Sequence, residues 1–463
     1  MAKNVIRTVE QRRKAGRLLR GGCPRASHAS TGVGRGKKRD IVAMIKASNQ
    51  DRVETLIPIR HGRMLQSEFA FFRGTAALQA HDLAGTPSSG ITVQSCGDCH
   101  LMNFGGFATP ERNLVFDIND FDETFPAPFE WDLKRLAASF VIAARWRGFR
   151  PDQAKEIAAE AARSYRKSMR EHAGRGILEG WYAKITLEDV RSVFGVNEQA
   201  RRHVDKKAAE AQRQTNEHVA NKITAPTSRG RLRIVDQPPL LYHADKRDVN
   251  ERTLAEFFKQ YRNTLAEERR MLFDRFELVD AAVKVVGVGS VGTRCYVALF
   301  LAAPDDPLFL QVKEARRSVL EPHQRHSPAA HNGQRVVTGQ RLMQCSSDIF
   351  LGWSRGPGGR DFYVRQLRDM KVAPEVEALT PRMMRAYATL CGQALARAHD
   401  KAGDAATVAG YLGGSDEFDE AIAEYAVAYA DQAARDYASF VNAVRAGELS
   451  TDVKPGKLEV ALR

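Results

Sequence analysis

The segment SCGDCHLMNFGGFATPERNLVFDINDFDETFPAPFEWDLKRLAAS, residues 95–139, concentrates polar chemistry at the ends of short apolar runs. Gly97 to Asn103 reads as a tight polar loop. Asn113 to Asp117 reads as a short strand ending in carboxylates, and Asp120 and Asp122 follow closely. Asp132 opens an amphipathic helix with apolar residues at Leu133, Leu136, Ala137, Phe140 and Val141. Catalytic loops tend to sit where rigid apolar elements end in polar turns.

Asp98 and Asn103 suit phosphoryl transfer. A carboxylate can accept the proton of an attacking hydroxyl, and a carboxamide oxygen nearby can ligate Mg²⁺. Asp120 or Asp117, at the end of the next strand, would be the second metal ligand. The plainer account is turn and cap chemistry, since Asp and Asn favour turns and Asp132 suits an N-cap. Cys96-Gly97-Asp98-Cys99-His100 is also a literal C-x-x-C-H, the attachment motif of a c-type haem protein. That chemistry normally follows export, and the basic N-terminus shows no apolar signal region. A redox or metal role for the two thiols lacks a second Cys/His pair at ligand spacing.

The 463 residues are 43% hydrophobic and 27% charged, which places the chain among ordinary globular proteins. No apolar run approaches the roughly 20 residues of a membrane-spanning helix, so no membrane partner and a cytoplasmic location are expected. The formal charge of +14 is uneven: residues 1–40 hold 12 Lys and Arg against two acidic residues. This predicts a basic, flexible tail over 1–45, either a solubilising arm or a weak contact for nucleic acid. The six cysteines are scattered and suggest no disulfide framework.

Helices are expected over 40–63, 151–171, 198–222, 254–275, 387–401 and 418–444, and a long connection over 224–250. Residues 281–313 differ in texture. Strands 281–286 and 293–301 flank Gly287-Val-Gly289-Ser290-Val-Gly292, and a third strand, Leu308 to Lys313, follows. A dinucleotide fingerprint would run from strand into helix. Strand–loop–strand is instead the form of a glycine flap over nucleotide phosphates, with Lys313 reaching them. The bland alternative is a glycine hairpin and a solvated lysine. A glycine-rich loop over 352–359 precedes a strand over 362–367.

Gly97-Asp98-x-His100-x-x-Asn103 resembles the HGDxHxxN loop of the aminoglycoside phosphotransferase and choline kinase group, with Cys96 where that group usually has His. Asp120-Phe121-Asp122 is similar to its metal-binding segment, and Asp132-Leu133 to the start of its next helix. The resemblance implies Asp98 as catalytic base, Asn103 and Asp120 as Mg²⁺ ligands, and Asp132 as a structural brace. Over 60–447 the chain resembles a bacterial family, domain of unknown function 2252, through FAFFRG (69–74), FDINDFDET (116–124), FEWDLKRL (129–136) and QVKEA (311–315).

Kinases place the glycine loop and lysine before the catalytic loop, whereas here Asp98 precedes Gly287. Gly392 to His399 is similar to the helix that normally leads into the catalytic loop. The resemblance therefore implies an α+β, two-lobed, circularly permuted kinase-like fold. A helical lobe of 46–250 and 376–447 would carry Asp98, Asn103 and Asp120. A β-rich lobe of 251–375 would bind ATP through Gly287, Gly289, Ser290, Gly292 and Lys313, with Gln366 and Leu367 at the hinge and 448–463 as a tail. Glu314 and Glu321 are both available to pair with Lys313. The expected activity is ATP- and Mg²⁺-dependent transfer to a small-molecule hydroxyl. The alternatives are AMPylase-like nucleotidyl transfer to a protein and a non-catalytic nucleotide-binding regulator.

Overall fold

β-Branched and aromatic side chains dominate residues 277–314, and they fold as three antiparallel strands, Glu277–Lys284, Cys295–Ala303 and Asp306–Glu314. In the computed structural model these strands form the middle of a six-stranded sheet. Its order is Gly352–Arg355, Asp361–Gln366, Asp306–Glu314, Cys295–Ala303, Glu277–Lys284, Leu241–Tyr242, with every neighbouring pair antiparallel. Residues 6–34, 39–195, 198–213, 216–228, 231–243, 251–325, 328–367 and 370–453 are described. The fold is mixed α+β.

Alternation along the central strands gives the sheet two buried faces. Ala298, Phe300, Leu308, Leu310 and Val312 pack on Phe257, Phe258, Tyr261 and Phe273 of two short helices. Val297, Leu299 and Phe309 pack on Ala220, Ile234 and Leu241. Lys313 pairs across the strands with Cys295 and Tyr363, so it shares the face of Val297.

A larger core is built round the Phe129–Trp146 helix, which is buried continuously from Phe129 to Ala144. Such a helix must be enclosed on all sides. The Pro151–His172, Pro381–Ala402 and Glu417–Arg445 helices supply the enclosure. Two small antiparallel pairs stand beside them. Thr92–Ser95 pairs with Phe125–Pro128, and Phe104–Ala108 with Leu114–Ile118.

Several elements differ from the sequence reading. The single helix expected over 40–63 is two, Ile41–Ser48 and Ile57–Met64, separated by a turn in which Asp51 takes φ +61°. The 254–275 helix likewise divides into Glu251–Arg262 and Glu267–Phe273, and the 198–222 helix into Glu198–Arg213 and Asn216–Ile223. The connection over 224–250 contains a short hairpin, Thr224–Pro226 with Leu232–Ile234, and residues 244–250 lie outside the described residues. Gly352–Arg355 is an edge strand and not a loop. A Cβ on Gly352 would lie 2.6 Å from Thr264 Oγ1 and 2.8 Å from the Tyr261 ring, so the glycine is there for packing. The Asn332–Met343 helix carries two glycines and several polar residues, which hid it from a periodicity reading.

The largest correction concerns the basic N-terminal segment. Residues 7–34 are folded and docked. Thr8 and Gln11 form a capping box at the start of the Val9–Leu18 helix. Gly16 is buried against the Ala405–Leu412 helix, where a Cβ would lie 2.0 Å from the Thr407 carbonyl oxygen. Arg12 pairs with Asp404, Arg20 donates to the Gly410 and Tyr411 carbonyls, and His28 meets the Tyr411 hydroxyl at 2.6 Å. The positive charge is thus spent partly on capping the end of a helix. Gly16→Val is expected to undock the segment, so that trypsin cuts at Arg12–Arg20 well before the rest of the chain. Cleavage at the parent rate would contradict this packing.

Candidate active site

The Thr92–Ser95 strand delivers the chain into the 96–103 loop, and the Asp132 carboxylate holds that loop from below. It accepts the Cys96 and Gly97 N–H groups at 2.8 and 3.0 Å, and His399 Nε2 stands 3.2 Å away. Tyr165 in turn meets His399 Nδ1 at 2.9 Å. Asp132 is the fourth residue of its helix, so it braces the loop and does not cap its own helix. Gly97 has φ +86°, and a Cβ there would lie 2.2 Å from the Glu123 carbonyl oxygen, so no other residue fits.

Asp98 Oδ1 accepts a hydrogen bond from Nε of the buried Arg135 at 2.9 Å, and Nη2 lies 2.8 Å away in an ion pair. Arg135 is itself fixed by Gln79, the Phe72 carbonyl and the Phe72 ring. Asn103 Nδ2 donates to the Asp98 carbonyl at 2.6 Å, which leaves its Oδ1 for another partner. The Asn119 N–H binds the Asn103 carbonyl and ties the loop to the end of the Phe104–Ala108/Leu114–Ile118 hairpin, from which Asp120 projects.

Lys313 reaches this loop from the sheet. Its Nζ lies 2.6 Å from Asp122 Oδ2, and the Tyr363 hydroxyl donates to Asp122 Oδ1 at 2.5 Å. Burial alone would raise the Asp120 carboxyl, but Lys313 and Arg365 outweigh it and hold the group ionised, at about 2. Burial would lower the Lys313 ammonium, and Asp120 and Asp122 raise it instead. Neither glutamate offered by the sequence is its partner. Glu314 accepts from the Arg294 backbone and guanidinium, and Glu321 pairs with Arg317.

The Gly287–Gly292 loop is strand–loop–strand, with Gly287 and Gly292 at φ +68° and +87°. Arginines hold it: Arg63 donates to the Gly287 carbonyl and Arg52 to the Val291 carbonyl. Gly289 and Ser290 line a cavity of about 180 Å³ together with Asp98, Asn103, Asp120 and Asp122. Arg52, Arg60, Arg73 and Arg316 line it too, residues whose only signal in the sequence is their basic character. Arg52, Arg60 and Arg316 bond to carbonyl or amide oxygens and not to carboxylates. The Nε atoms of Arg60 and Arg73 are buried without a partner. Burial, then Arg316, pull the Arg52 guanidinium down to about 10, and burial, then Arg52 and Arg316, lower Arg60. Converging guanidiniums that make no ion pair of their own suit a bound polyanion.

Other expected site residues lie elsewhere. Asp117 is fully buried, accepts from Arg397 at 2.6 Å and from the Cys345 N–H at 2.7 Å, and does not line the cavity. The Gln366 N–H binds Asp348, and its side chain lines a different cavity with residues 107–110. Leu367 packs on the Ala220–Ile234 cluster, which covers the sheet face beside Lys313. The thiols of Cys96 and Cys99 lie with Asp132 close enough to share a metal ion, but burial pushes both thiols up, Cys99 to about 11, and Asp132 is already occupied.

These features define a mixed α+β protein whose charged cleft draws on two distant parts of the chain. The chain belongs to a bacterial sequence family described as "Uncharacterized protein conserved in bacteria (DUF2252)", which matches residues 52–443. No curated protein and no solved structure matches it. Among the described residues no helix is long and apolar enough to cross a membrane.

Glu123 also lines the cavity, and burial pushes its carboxyl up to about 7, against the Val319 N–H and Arg335 that pull it down. Its folded value lies above its unfolded one. The folded chain therefore holds the extra proton between about 4.5 and 7, and stability falls as pH rises through that window. Glu123→Gln is expected to match the parent in thermal stability near about pH 5 and to exceed it near about pH 8, by on the order of 1–3 kcal/mol. An equal difference at both pH values would contradict this environment.

Proposed function

We propose that this protein is an ATP- and Mg²⁺-dependent phosphotransferase with a kinase-like site assembled in permuted order, acting on a small-molecule hydroxyl. One observation carries the reading. Lys313, on the central strand of the sheet, is ion-paired to the loop that bears Asp120, and that loop shares a cavity with Asp98, Asn103 and the glycine loop.

The topology supports it. Three antiparallel strands with a glycine loop between the first two, a lysine on the third, then a helix and two more strands make up the nucleotide lobe of a kinase. The donor set fits the cofactor: an ionised Asp120 and the free Asn103 Oδ1 are hard oxygen ligands of the kind Mg²⁺ takes. Asp117, locked to Arg397, is left out of that set. Mg²⁺ held there would neutralise charge on the transferred group. The buried, unpaired arginine nitrogens would meet phosphate oxygens.

In this reading the acceptor hydroxyl lies against Asp98 Oδ2, which His100 Nε2 approaches to 3.8 Å, while Arg135 holds Oδ1. The oxygen–phosphorus bond to the acceptor forms as the bond from the γ-phosphorus to the bridging oxygen breaks. ADP leaves, and the hydroxyl proton passes to Asp98 Oδ2. Lys313 exchanges Asp122 for phosphate oxygens. The base would lie on the sheet face now covered by Ala220 and Ile234, so nucleotide binding would displace that cover. Nucleotidyl transfer would use the same groups on the α-phosphorus and release pyrophosphate, and intact mass of the acceptor separates the two.

Asp120→Ala and Lys313→Ala are expected to abolish Mg²⁺-dependent ATP turnover. Asp98→Asn is expected to retain nucleotide binding and lose roughly 10²–10⁴-fold in turnover. Unimpaired binding and turnover in all three variants would refute the site.

A further inference from the structure

The docked N-terminal helix leaves an open groove of about 630 Å³ that shares no lining residue with the cleft. One wall carries Arg13, Arg17 and Arg20, spaced four and three residues apart so that they share a face. The facing wall is the last turns of the Pro151–His172 helix, which present Lys167 and Arg170. The floor is bare backbone at Gly410, Gly413 and Gly414. Gly413 has φ +74°, a conformation that favours glycine, and Arg20 Nη2 lies close over this bare backbone.

The charge in this groove is not balanced from within. Arg17 reaches Glu10 in an exposed pair, which screens weakly, and Arg20 is bound to carbonyls. Arg13, Lys167 and Arg170 make no ion pair among the described residues. The one carboxylate lining the groove is Glu171. Burial, then Arg25 and Arg17, lower the Arg20 guanidinium, the mark of like charges held together. A concave surface of one sign focuses its field and concentrates anions. Among the described residues no aromatic side chain lines the groove, so it offers phosphate contacts and no stacking platform for bases. The cations span only about two turns of one wall, Arg13 to Arg20, and about one turn of the other, Lys167 to Arg170, which fits a compact ligand better than a long strand.

We propose that this groove binds a compact oligophosphate, independently of the cleft, and that the ligand fastens the N-terminal helix to the body. The test uses the full chain, sodium tripolyphosphate and calorimetry at low salt. The parent is expected to bind in the groove, the double variant Arg13→Gln/Arg170→Gln to bind at least about tenfold more weakly, and Lys313→Ala to bind the groove ligand as the parent does. Bound tripolyphosphate is also expected to slow tryptic cleavage at Arg12–Arg20 in the parent and not in the double variant. Both substituted side chains are solvent-accessible, and an unchanged melting temperature confirms that the variant folds.

Three results would overturn the proposal. One is no binding by the parent at about 1 mM, the weak end of specific affinity. Another is binding that the double variant retains and Lys313→Ala loses, which puts the ligand in the cleft. The third is orthophosphate or a single-stranded oligonucleotide binding as tightly as tripolyphosphate, the first marking an adventitious ion only and the second an extended polyanion surface.

Discussion

One buried ammonium ties the two parts of this molecule together. Lys313 is 3% exposed, and a charge so placed is tolerated only with a partner at close range. The Asn332–Met343 helix beside it contains no acidic residue, so the partner cannot come from the sheet's own helix. It comes instead from Asp122, 191 residues earlier. Arg335, on that helix, faces the same loop and donates to the Asp122, Thr124 and Arg316 carbonyls. The sheet and the helical core are thus joined by cations of one meeting the acidic loop of the other, and Asp120 is held ionised as a consequence.

The second organising feature is an excess of positive charge on the other side of the same cavity. Arg52 and Arg63 fix the glycine loop by its carbonyls, so the loop is set by contacts from the helical part and not by its own strands alone. Arg60 and Arg73 crowd in with incomplete hydrogen bonding, and Arg316 lines the cavity beside them. Carboxylates and guanidiniums thus line one cavity together. The sheet face beside Lys313 is covered by Ala220, Ile234 and Leu241.

Much of the site was legible in the sequence because its chemistry is local. The polar loop at 97–103, the strand–loop–strand at 281–301 and the strand ending at Lys313 are each set by neighbouring residues. What escaped depends on distant packing. Asp122 looked like a bystander to Asp120, and only the register that puts Tyr363 opposite Lys313 gives it two partners. Asp117 sat as near to the motif as Asp120, yet the hairpin turns it into the core toward Arg397. The N-terminal arginines read as a loose tail because their ligands are backbone carbonyls of a helix about 390 residues away. The arginines of the cavity were indistinguishable from surface charge, since nothing in their spacing records that they converge. The haem-like Cys96–His100 motif was already disfavoured by its sequence context, and in the structure both of its thiols are buried in the loop that Asp132 holds.

The most direct test of the account is a structure with a non-hydrolysable ATP analogue and Mg²⁺. The phosphates should lie between Gly287–Gly292 and the Asp120 loop, with Mg²⁺ on Asp120 and Asn103 and with Lys313 drawn from Asp122 to a phosphate oxygen. A nucleotide bound away from this cavity, or a metal held by other residues while the Lys313–Asp122 pair stays intact, would contradict it.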